Sequence, residues 1–96
     1  MSPDPRPQLV FFTSHSSGPA RRMESLLAHI ARKERDTLVV KRVDADERPD
    51  LVEKFRISVV PALALVIGKK VVARLEGRST APKIEAMLDD ALERAA

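Results

Sequence analysis

The 96-residue chain has no cysteine, tryptophan or tyrosine, and its only aromatics are three phenylalanines. Without a cysteine sulfur there is no disulfide staple and no thiolate to attack a substrate, and this holds in any redox compartment. Phe11, Phe12 and Phe55 fall at expected core positions, so the chain lacks the stacking platform and basic stripe of a nucleic-acid binder. Charge of one sign is not in large excess: 17 basic residues face 14 acidic ones, a net +3 that selects no class of partner. Long apolar runs are missing too. The longest candidate, Ile57 to Ile67, is about half the length needed to cross a bilayer and is interrupted by Pro61.

The opening residues MSPDPRPQ carry three prolines and no apolar stretch, unlike the core of a secretory signal. Residues 1–7 read as a flexible leader and 8–96 as a single domain, with the cytoplasm as the expected location and no membrane association. With 44% hydrophobic and 32% charged residues, the chain has the balance of a globular protein able to form one core.

Leu9-Val10-Phe11-Phe12 has the uniform apolarity of a strand covered on both faces, ending near Thr13. After Ser17-Gly18-Pro19, Met23, Leu26, Leu27, Ile30 and Ala31 recur at helical spacing, with Pro19 in the first turn, where its missing N–H costs nothing. Basic residues near Arg32 and Lys33 suit the helix end. Leu38-Val39-Val40 opens a second strand running to about Val43, and a strand–helix–strand crossover of this length predicts parallel neighbours. Asp46 is a candidate cap for a short helix over 47–55 that tolerates Pro49 in its first turn. Segments 62–67 and 70–75 flank Gly68-Lys69, the pattern of a type II′ hairpin. Thr80 is a candidate cap for a last helix with an apolar stripe of Ile84, Met87, Leu88, Ala91 and Leu92.

The resulting order, βαβ(α)ββα, is an α/β arrangement with a mixed four-stranded sheet flanked by helices, and it resembles the thioredoxin fold. Where thioredoxins carry Cys-Gly-Pro-Cys, this chain reads Ser17-Gly18-Pro19-Ala20, followed by basic Arg21. Val43-Asp44-Ala45-Asp46 resembles the family's acidic strand end, Val60-Pro61-Ala62-Leu63 its Ile-Pro-Thr-Leu stretch with a cis proline, and Gly77 a family glycine. The resemblance spans Leu9 to Leu92, without the extra leading strand and helix of a full thioredoxin. Both sulfurs are gone, the tryptophan beside the motif is Ser16, and the family's buried aspartate aligns with Phe11. The resemblance therefore implies a vestigial motif at Ser17, Gly18, Pro19 and Ala20, with no thiol oxidoreductase activity, catalytic residue or cofactor.

Three uses of that scaffold stand side by side. The first is a protein-binding or chaperone-like module, in which Ser17, Val60 and Pro61 line a groove for an extended peptide segment of a partner. The second is a glutathione-handling enzyme of the transferase type with Ser17 at the cofactor's thiolate, and the third a thioredoxin with both cysteines replaced. A small-anion site at Ser17, Ala20, Arg21 and Arg22 is a further candidate, because two cations in a helix's first turn oppose its dipole. His15 with Ser16 and Ser17 offers a base beside hydroxyls, but no acid nearby in sequence orients the imidazole. His29 lies opposite its helix's apolar stripe and reads as solvated. The acidic run Asp44, Asp46, Glu47 and Asp50 lacks the glycine and spacing of a calcium loop, so no metal ligand is assigned.

Overall fold

Two apolar runs dictate the middle of the sheet. In the computed structural model, which describes residues 6–95, β1 (Gln8–Thr13) and β3 (Ala62–Ile67) pair antiparallel, with Phe11 opposite Leu63. β2 (Val39–Asp44) runs parallel to β1 on its other side, and β4 (Lys70–Glu76) closes a hairpin with β3, giving the order β2-β1-β3-β4. The chain therefore has the thioredoxin-type α/β fold, a mixed four-stranded sheet with three helices.

Side chains alternate across this sheet, so each face has its own core. Leu9 and Phe11 point to the face covered by α1 (Gly18–Lys33) and α3 (Ala81–Ala95), where they meet Met23, Leu27, Ile30, Ile84 and Leu88. Val10 and Phe12 point to the opposite face, under α2 (Pro49–Lys54). There the rings of Phe12 and Phe55 meet edge to face, 5.5 Å apart at 77°, a geometry that adds about 0.5–1.5 kcal/mol to plain burial.

The helix ends follow from local chemistry. Ser17 caps α1, its hydroxyl accepting the Ala20 N–H at 3.1 Å, and Pro19 sits in the first turn. Thr80 precedes α3 and its carbonyl accepts the Ile84 N–H. α2 departs from expectation: it is shorter than 47–55, and its N-cap is Arg48, with no side-chain cap. Asp46 does not cap it. The carbonyl of Asp44 accepts the N–H groups of both Glu47 and Arg48, folding a turn that delays the helix to Pro49. α2 ends on Arg56 in the left-handed region at φ 56, and the Arg74 guanidinium donates to the carbonyls of Phe55 and Arg56.

At the hairpin Gly68 has φ 65 while Lys69 keeps an ordinary φ, as a type II′ turn requires. The pairing slips between Leu65 and Val66: Leu65 faces Ala73 and Val66 faces Val71, leaving Val72 as an extra residue in β4. Residues 1–5 of the expected leader lie outside the described residues. Its last two are held: the Pro7 carbonyl accepts the Val39 N–H at 2.9 Å, and the Arg6 guanidinium donates to the Arg35 carbonyl.

Candidate functional site

Because β1 is parallel to β2 and antiparallel to β3, the ends of β1 and β2 and the start of β3 share one margin of the sheet. Three sequence segments converge there: Ser14 to Ala20 after β1, Ala45 to Glu47 after β2, and Val59 to Pro61 before β3. This margin is where the topology collects polar chemistry from distant parts of the chain.

On the β3 side the Val60–Pro61 peptide bond is cis, and the Pro61 carbonyl accepts the Gly77 N–H at 2.7 Å. Gly77 reaches that carbonyl with φ 86, a conformation that suits glycine. Among the described residues neither backbone polar group of Val60 has a hydrogen-bond partner. Val60 is half-buried, Pro61 is buried, and Val59 beside them is 48% exposed, the most exposed large hydrophobic of the described residues.

In the first turn of α1, Pro19 has no N–H, Ala20's is taken by Ser17 Oγ, and Arg21's goes to the Ser17 carbonyl at 3.1 Å. Only Gly18's remains of the amides that a small anion at Ser17 and Ala20 would use. Arg21 and Arg22 are exposed, and an Arg22 guanidinium nitrogen lies 3.6 Å from where a Cβ on Gly18 would stand. The two guanidiniums thus flank a helix start whose own cap already occupies part of the cradle.

On the β2 side, Asp44 is the acid that the sequence around His15 lacks. His15 Nε2 lies 2.8 Å from Asp44 Oδ2; the imidazole is 72% exposed, the carboxylate side chain 7%. Asp44 Oδ1 accepts the Asp46 N–H at 2.8 Å. The Ser14 hydroxyl donates to Asp46 Oδ2 at 2.7 Å and lies 3.0 Å from the Ser16 hydroxyl. The serines are thus bonded elsewhere, and among the described residues no hydroxyl hydrogen-bonds His15, so no Ser-His-Asp relay is assembled. An open cleft lined by Ser14, His15, Arg21, Glu24 and Arg42 runs beside this group, with Arg42 held by Glu24 at 2.8 Å. His29 is exposed on α1.

Comparison with known proteins concerns the chain as a whole. A family model described as thioredoxin matches residues 2–90. The thioredoxin of Alicyclobacillus acidocaldarius is 33% identical over 88 residues, covering 92% of this chain and 84% of that one. A thioredoxin-like protein of Synechocystis is 32% identical, with 92% and 81% covered. Among solved structures, the germline-specific thioredoxin Deadhead of Drosophila melanogaster superposes with a TM-score of 0.84 at 24% identity, over 91% of this chain and 82% of that one.

Proposed function

The chain belongs to the thioredoxin family, and from that membership we propose that it is a binding member, which holds extended protein segments without exchanging disulfides. Exchange requires a thiolate and a second thiol to resolve the mixed disulfide, and the chain has neither. Ser17-Gly18-Pro19-Ala20 stands in this reading for Cys-Gly-Pro-Cys. The loss reaches beyond those two positions. Phe11, which this reading matches to the family's buried aspartate, is 2% exposed and packed in the core, in keeping with a proton-handling position filled with hydrocarbon.

The observation that carries the binding role is Val60. Its unpaired N–H and C=O form the donor–acceptor pair that an extended peptide adds to when it extends a sheet, and exposed Val59 offers apolar surface alongside. Ser17 counts against the transferase alternative, since its hydroxyl is committed to the helix cap and would have to leave it to hold a thiolate.

An NMR titration of the labelled full chain tests this. Extended apolar peptides are expected to shift the amides of Ser17, Gly18, Val60 and Ala62 saturably, with glutathione leaving them still. The reverse pattern would favour a glutathione-handling protein, and silence toward both ligands would overturn binding at this margin.

A further inference from the structure

Apart from the Val60 segment, the group on the β2 side has donor chemistry that the peptide reading does not use. We infer that His15, Asp44 and Glu47 form a site for a divalent transition-metal ion of the zinc class. One ligand atom from each lies within 4.8 Å of the others. In a tetrahedral zinc site with bonds near 2.1 Å, neighbouring ligand atoms stand roughly 3.4 Å apart. The 2.8 Å between His15 Nε2 and Asp44 Oδ2 therefore needs to open only slightly for an ion to seat between them. His15 and Glu47 are both exposed and free to adjust.

Thr13 is a second and separate indication. It is the direct register partner of Asp44, and the alternation of both strands puts the two side chains on the same face. Thr13 is 1% exposed, and its hydroxyl has no hydrogen-bond partner. A buried hydroxyl left unpaired is unfavourable, and this one stands at the register position next to Asp44 without bonding its carboxylate, an unsatisfied polar group adjoining the cluster.

The surroundings fit a cation. The three ligands are two carboxylates and one imidazole, and Asp46 adds a third carboxylate nearby. The Asp46 N–H holds Asp44 Oδ1, orienting Oδ2 toward His15, the kind of outer hydrogen bond that positions a metal-ligating carboxylate. The cations facing this group across the cleft are Arg42, paired with Glu24, and exposed Arg21. A mixed nitrogen and oxygen set favours zinc-like ions over magnesium or calcium, which take oxygen ligands.

The test is calorimetric titration of the full chain with zinc chloride and, separately, magnesium chloride, alongside NMR of the two imidazole rings. One equivalent of zinc is expected, moving the His15 ring and leaving His29 unmoved, with magnesium far weaker. Exposed-residue variants His15→Ala and Glu47→Gln should each weaken zinc by about tenfold or more; buried Asp44 is left alone because its loss could disturb folding. Zinc affinity unchanged in His15→Ala, equal response to magnesium, or no saturation by millimolar zinc would each overturn the site.

Discussion

At the scale of single residues, Ser17 shows how a position can keep its place and change its task. It stands where the resemblance puts a nucleophilic sulfur, yet its oxygen accepts a hydrogen bond from the helix it begins. Replacing a serine cap by alanine costs about 1 kcal/mol. Ser17→Ala is therefore expected to lower the unfolding free energy by about that amount in urea denaturation, while Ser17→Gly costs only a few tenths. If neither variant moves the midpoint, the cap contributes nothing and the hydroxyl is free for other work. His15 makes the opposite point, since it acquires a purpose only from Asp44, 29 positions along the chain.

Among the elements, strands and long helices were legible because their signals are local: the 9–12 run, the stripe from Met23 to Ala31 and the glycine-first turn at Gly68 each declare one structure. The parallel pairing of β1 and β2 was also readable, and with it the meeting of their two trailing loops. The pairing of His15 with Asp44 was not, because it depends on how those loops bend rather than on which strands adjoin. The α2 start misled for a related reason. Asp46 has the chemistry of a cap, but Ser14 from another segment captures its carboxylate, and no local pattern records that competition. At its other end α2 is closed by a non-glycine residue in the left-handed region, which costs about 1 kcal/mol. Arg56→Gly should recover about 0.5–1 kcal/mol in thermal or urea unfolding, since the hydrogen bonds closing this turn run through backbone carbonyls that glycine retains. A loss of stability instead would mean that the Arg56 side chain holds something in place.

For the molecule as a whole, two surface pairs contribute to pH sensitivity, one at each extreme. The hydrogen bond from Arg48 holds the Asp50 carboxyl below its usual range, and the bond to Glu85 raises Lys33 above its own. A lowered acid stabilises the fold above its unfolded pKa, and that support disappears as pH falls through the folded one. A raised lysine stabilises below its unfolded pKa and loses that support as pH climbs through the folded one. Between about pH 4 and pH 10 neither pair should contribute a slope. Both pairs are exposed, so the effects are small and screened by salt. Urea midpoints measured across pH should show Asp50→Asn with a shallower acid decline than the parent chain and Glu85→Gln with a shallower alkaline one. Parallel curves would assign both declines to other groups.

The extra residue at Val72 gives the two margins of the sheet different characters. Fibre growth requires each new strand to lie flat along the last, and a margin that kinks at a bulge is a poor template for it. β2, the opposite margin, keeps an unbroken register over six residues. Should these molecules ever polymerise through their sheets, growth would begin from β2 and stop at β4, making the hairpin a built-in chain terminator.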